Sequence, residues 1–232
     1  MNNWLNIIQA KLLPPRCLLC GSAGFMGMDL CKACLDDLSR NMHCCYRCGE
    51  SFAMPIAVPQ LCGRCLKHSH GFDETHAPFR YDANMAFFVT RLKFHRQYQY
   101  ARLLGRLLAD QVADACELPE CIVPVPLHPN RYRERGFNQS IEIARHLSKQ
   151  LRLPLDLNSC RRNRDTRHQI ELPAKQRRNN MKRAFSVTGI RPYRHVAIVD
   201  DVMTTGATVS ALAWALKQQG IARVDVWVCA RA

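Results

Sequence analysis

The stretch HVAIVDDVMTTGATVSALAWALKQQG, residues 195–220, decides how the rest of the chain is read. Residues 195–200 have the length and apolar character of a buried strand, and they run straight into Asp200 and Asp201. A Thr/Gly-rich turn, TTGAT, follows, and residues 208–219 carry a helical pattern with Gly220 as its C-cap. In an open parallel sheet, ligands bind beyond the carboxyl ends of the strands, which is where this reading puts the two carboxylates. The turn that feeds the helix aims backbone N–H groups from the positive end of the helix dipole. That is a cradle for a phosphate, with the Thr204, Thr205 and Thr208 hydroxyls as further donors. Gly206 permits close backbone approach. Carboxylates do nothing for a bare anion, but they accept hydrogen bonds from hydroxyls. The combination points to a sugar phosphate.

Upstream, strands and helices alternate, which predicts an α/β fold with a parallel sheet covered on both faces. A strand is expected around Thr75–Tyr81, then two helices between Met85 and Cys116 with a break near Arg96–Gln99. Residues 121–125 read as a short buried strand stopped by prolines. NRYRERGFNQS, residues 130–140, reads as a polar basic loop, after which Asn138 or Ser140 caps a helix running to about Leu151. Residues 158–180 read as a long loop, with one helix at 174–184, and the last strand is Arg223–Ala230. The first residues, MNNWLNIIQAKLLPP, have helical spacing and no basic n-region, so a short amphipathic helix is expected rather than a signal peptide. No apolar run reaches the ~18 residues of a membrane span.

The chain has 13 cysteines, and eight of them form four Cys-x-x-Cys pairs: Cys17/Cys20, Cys31/Cys34, Cys45/Cys48 and Cys62/Cys65. Ten residues separate the first two pairs and thirteen the last two. Each knuckle puts two thiolates on one side of a metal, so four in tandem predict two closed four-cysteine sites with structural Zn²⁺. Loop length favours consecutive pairing; interleaved pairing is the alternative, and Cys44, His43, His68 and His70 are substitute ligands. The segment 17–66 is too short for a large core, so metal is expected to supply much of its folding free energy. The expected division is a ribbon unit over residues 1–70 and an α/β unit over 71–232.

The net charge is +14, and its position matters more than its size. Residues 128–152 carry six basic against two acidic side chains, and residues 161–194 eleven against two. Such clusters suit phosphate-bearing partners, with a solvated basic face as the plain alternative. In RLKFHRQYQY and RYRERGF, basic and aromatic residues interleave, as in grooves that hold single strands. The alternative is that Phe94, Tyr98 and Tyr100 belong partly to the core.

VAIVDDVMTTGAT, residues 196–208, closely resembles the phosphoribosyl pyrophosphate (PRPP) motif of type I phosphoribosyltransferases. The resemblance implies that Asp200 and Asp201 hold ribose hydroxyls, while Thr204, Thr205, Gly206, Ala207 and Thr208 hold the 5′-phosphate. VPVPLHPNRYRERGFNQS, LKFHRQYQYARLLGRLLA, RDTRHQIELPAKQRRNNMKRAF and the terminal VWVCARA, together with the double ribbon, resemble the ComF family. That family implies a type I phosphoribosyltransferase-like domain behind a double zinc ribbon. It also implies a cytoplasmic role in natural transformation, handling incoming single-stranded DNA with other DNA-uptake proteins, such as a helicase. PRPP is the implied ligand, with Mg²⁺ bridging its pyrophosphate. Arg131, Arg133 and Arg135 stand where a pyrophosphate loop is expected. The stretch from Arg161 to Arg183, with Arg161, Arg162, Arg164, Arg167, Arg177 and Arg178, is expected to form a lid or DNA contact. An active transferase acting on a nitrogen acceptor is the alternative function. Against the hypoxanthine type, Thr204 occupies the position where those enzymes carry an Asp general base.

Overall fold

The computed structural model describes residues 14–115, 117–164 and 184–232. Its centre is a parallel sheet built on two long neighbours, β6 (His195–Met203) and β7 (Arg223–Arg231). The edge beside β7 is formed by β1 (Glu74–His76) and β2 (Phe79–Arg80), and β3 (Cys121–Pro124) pairs with the other side of β6. Every pairing in this five-stranded sheet is parallel. Both faces are covered, so the inner strands are apolar on both sides. Val196 and Ile198 pack with helix α7 (Ala207–Lys217) on one face, and Ala197 and Val199 with the helices of the other. Those other helices are α3 (Ala83–His95), α4 (Gln99–Ala115) and α6 (Gln139–Leu151). Among the described residues, no helix is long and apolar enough to cross a membrane.

The structure corrects the sequence reading in several places. The strand expected around Thr75–Tyr81 is two pieces, β1 and β2, in one register along β7. Pro78 lies in the gap; without an N–H it cannot join the ladder, and an edge strand tolerates that break. β6 does not stop at Asp200 but continues to Met203, because Val202 and Met203 still pair with Ala230 and Arg231. On its other side the ladder with β3 ends at Val199, so both aspartates project beyond β3.

The basic loop 130–140 contains a short helix, α5 (Pro129–Arg135), with Pro129 in its first turn. His128 Nδ1 accepts from Asn130 N at 3.3 Å, and Gly136 ends the helix in the left-handed region at φ 81°. Part of the expected long loop is strand: β4 (Cys160–Arg162) pairs antiparallel with β5 (Phe185–Val187). The expected helix at 174–184 falls almost wholly outside the described residues, as does the expected N-terminal helix. The break between α3 and α4 and the Asn138 cap of α6 are as expected. Gly220 is left-handed at φ 91°, but it lies two residues past the α7 C-cap, Gln218.

The cysteine-rich region is built twice by one rule. Cys17 and Cys45 each accept from the N–H of a left-handed glycine, Gly21 and Gly49, that closes the Cys-x-x-Cys turn. The second pair of each half then opens a five-residue helix: Cys31 caps α1 (Lys32–Asp36) and Cys62 caps α2 (Gly63–Lys67). This region is stitched to the sheet rather than tethered to it. Asn41 donates to Gly49 O at 2.9 Å and to Ala77 O at 3.1 Å, and accepts from Ser51 Oγ. Thr75 Oγ1 donates to Arg47 O at 2.6 Å, and Arg102 Nε donates to Asp29 at 2.8 Å.

Candidate functional site

Two cysteine groups stand out: Cys17, Cys20, Cys31 and Cys34, and Cys45, Cys48, Cys62 and Cys65. Consecutive pairs therefore come together, and neither Cys44 nor His43, His68 or His70 belongs to either group. Within each group all four sulfurs lie within 4.8 Å of one another. The closest separations between knuckles are 3.6 Å for Cys20–Cys31 and 3.7 Å for Cys48–Cys62. A tetrahedron with Zn–S bonds of about 2.3 Å has S···S edges of about 3.8 Å, so the clusters fit a structural zinc ion. Burial, then the neighbouring cysteines, pushes Cys34 and Cys65 well above the ordinary thiol range. A bound cation would let these two, with their cluster partners, be thiolates together. A third group, Glu74, His76 and Asp225, lies where β1 pairs with the start of β7. Arg223 already engages both of its carboxylates, donating to Glu74 at 2.9 Å and to Asp225 at 3.0 Å.

The second centre lies at the carboxyl end of β6. Asp201 is only 2% exposed, and Asp200 is half-buried. Three elements converge on them. From the first turn of α6, Ser140 Oγ donates to Asp200 Oδ1 at 2.7 Å and Gln139 Nε2 donates to Asp201 Oδ1 at 3.1 Å. From the last turn of α3, the Lys93 ammonium forms an ion pair with Asp201 Oδ2. The Asp201 N–H itself turns back to Asp200 Oδ1 at 2.9 Å. From α5, Arg135 donates to Gln139 Oε1, so Gln139 links that guanidinium to Asp201.

These contacts divide the pair electrostatically. Burial, then the adjacent Asp201 charge, raises Asp200 to about 7. Burial also opposes the charge on Asp201, but Lys93, by charge and hydrogen bond, overcomes it and holds that carboxyl below its usual range. One carboxylate is thus firmly ionised and its neighbour poised near neutrality, a state that a hydrogen-bonding ligand can shift.

Beyond Met203 the chain turns through Thr204 and Thr205, both exposed, to Gly206, which is left-handed at φ 76° and is the N-cap of α7. Only glycine adopts that conformation freely, which explains its place in the turn. Ala207 begins the helix with its N–H 3.3 Å from Thr205 Oγ1, and Thr208 is half-buried in the first turn. The expected phosphate-cradling turn is therefore directly joined to the carboxylate pair.

The arginines behave differently. Arg135 reaches the centre through Gln139, whereas Arg131 pairs with Glu134 at 3.0 Å and Arg133 with Asn130 at 2.9 Å, both on α5 itself. Arg161 and Arg162 lie on β4 and Arg164 just beyond it; Arg162 sits over the Phe185 ring at 5.6 Å. Arg167, Arg177 and Arg178 lie outside the described residues. Sequence reasoning gave Lys93 and Gln139 no role at the site and Ser140 only a capping one. Lys93 had a readable signal: it stands four residues after Val89, on the edge of the stripe that α3 buries.

A family model described as a double zinc ribbon domain matches residues 8–66. Competence protein F of Haemophilus influenzae is 36% identical over 226 residues, covering 94% of this chain and 97% of its own. The DNA utilization protein YhgH of Escherichia coli K12 is 34% identical over 226 residues, with 94% and 98% covered. Competence protein ComFC of Streptococcus pneumoniae is 27% identical over 236 residues, with 93% and 100% covered. Nearly the whole chain aligns with each, ribbon and carboxylate centre together. It belongs to the family of competence protein F and the YhgH DNA utilization proteins.

Proposed function

We propose that the chain is a PRPP-binding competence protein that handles incoming single-stranded DNA in the cytoplasm during natural transformation. The observation that carries this reading is the Asp200–Asp201 pair, half-buried and buried, just before the Thr204–Thr208 turn. A polyol phosphate satisfies both halves: its hydroxyls donate to the carboxylates, and its phosphate takes the N–H groups at the start of α7. Arg135 lies one side chain away from Asp201, where it would counter the charge of the pyrophosphate. Carboxylate oxygens suit Mg²⁺, but Lys93 already neutralises Asp201, so the ion would be held mainly by the ligand's own phosphates. The role in DNA uptake rests on family membership and on the basic segments. Zn²⁺ in both cysteine clusters would be structural, each cluster supplying four protein ligands and no open position.

Three outcomes test this reading. Calorimetric titration with PRPP and Mg²⁺ should give saturable binding to the wild type. Asp201→Asn should weaken it about tenfold or more, the loss expected for one charge-assisted hydrogen bond. Equal affinity in the variant would move the ribose away from this pair.

The second outcome concerns pH. Asp200 is raised from 3.8 to about 7, so the protonated form favours the fold. That contribution is complete below pH 3.8 and is lost as pH rises through about 7. Thermal melts should therefore show Asp200→Asn gaining on the wild type from pH 4 upwards and levelling off above pH 8. A constant difference across that range would contradict the assignment.

Third, a strong chelator should release two zinc ions per chain, in line with the two cysteine groups, and unfold the ribbon first. Release of one equivalent, or of none from zinc-replete protein, would refute the double site.

A further inference from the structure

Resting on the DNA reading above, we propose that the rim formed by the end of α3 and by α5 is the platform on which bases of a single DNA strand stack. The aromatics of RLKFHRQYQY divide sharply. Tyr100 is 4% exposed and belongs to the core, whereas Phe94 is 70% exposed and Tyr98 48%. Phe94 is the last-turn neighbour of Lys93, so the exposed ring begins where the Lys93–Asp201 ion pair ends. Arg135 of α5 reaches over this ring, its guanidinium carbon 6.0 Å from the centroid. The same Arg135 donates to Gln139, which donates to Asp201. The rim and the carboxylate centre are therefore connected by two side chains.

Packing fixes the rest of the surface. Arg96, left-handed at φ 54°, ends α3 and lays its guanidinium against Gly136, where an added Cβ would come within 3.3 Å of Nη2. Tyr98 meets Phe137 edge to face at 5.3 Å, which holds it in place without hiding it. From Ala83 to Tyr98 the chain has no acidic residue, and Arg91 and Arg96 carry positive charge beside Lys93, whose own charge is turned to Asp201.

A single strand fits this chemistry better than a duplex, whose bases are already stacked on one another. Rigid rings offer stacking faces to any base, and the surrounding cations hold the phosphates. The surface thus suits entering DNA of arbitrary sequence.

The test uses the full-length, zinc-loaded chain and fluorescence anisotropy with two probes of about 20 nucleotides. One is oligothymidylate and the other an abasic strand of the same length, which has the phosphates without the bases. Wild type should prefer the oligothymidylate about tenfold or more. Phe94→Leu, which keeps apolar bulk, should lose most of that preference, and Phe94→Trp should retain it. The salt dependence of the leucine variant should match wild type, because phosphate contacts set it. Phe94→Leu with an undiminished preference for thymidylate would overturn the platform while leaving DNA binding intact. Wild type that binds neither strand would overturn the DNA reading itself.

Discussion

Everything at the candidate site depends on keeping two adjacent carboxylates out of water at the end of a strand. Placing a charge in a protein interior costs several kcal/mol unless partners replace the lost solvent. Here the partners come from far apart in sequence: Lys93 from α3, Gln139 and Ser140 from α6. The sheet explains why they can meet. β6 runs beyond the end of β3, and the chain returns through α5 to start α6 at Gln139, whose first turn lies beside the projecting aspartates. A buried ion pair contributes little net stability, and a carboxylate pair held in this way marks a candidate ligand site.

The cysteine region bears on the same place from the other side. Arg231, the last residue of β7, is a buried cation. Its Nη1 donates to Met203 O at 3.2 Å, its Nε donates to Cys48 O at 3.0 Å, and it pairs with Glu50. Met203 immediately precedes Thr204, and Cys48 belongs to the second cysteine group. One guanidinium thus ties a metal-type knuckle to the residue before the Thr204–Thr208 turn. A zinc ion that fixes Cys48 would stiffen the approach to that turn, which gives the ribbon a structural purpose beyond its own folding.

Much of this was legible in the sequence, for reasons of chemistry at short range. Cys-x-x-Cys spacing specifies a metal knuckle locally, and the two groups assemble as consecutive pairs. The apolar run ending in Asp200 and Asp201 read correctly as a strand, although its last three residues were missed because sheet pairing, not composition, extends it. Helix α5 was missed for a similar reason: charged residues hid a seven-residue helix whose ends are fixed by His128 and Gly136. The position of Lys93 at the edge of the buried stripe of α3 was readable, but its partner was not. A lysine on an amphipathic helix ordinarily snorkels to water, and only the crossing of α3 over the end of β6 turns it inward to Asp201. The fate of the aromatics was equally a tertiary matter, since spacing alone does not separate buried Tyr100 from exposed Phe94.

A ribose phosphate held between the Asp200–Asp201 pair and the first turn of α7 would be visible in a crystal structure of the zinc-loaded protein with PRPP and Mg²⁺. The expected result is ribose hydroxyls within hydrogen-bond distance of Asp200 and Asp201, with the 5′-phosphate against the N–H groups of residues 205–208. A ribose bound elsewhere, with Lys93 and Gln139 still closed over unliganded carboxylates, would contradict it.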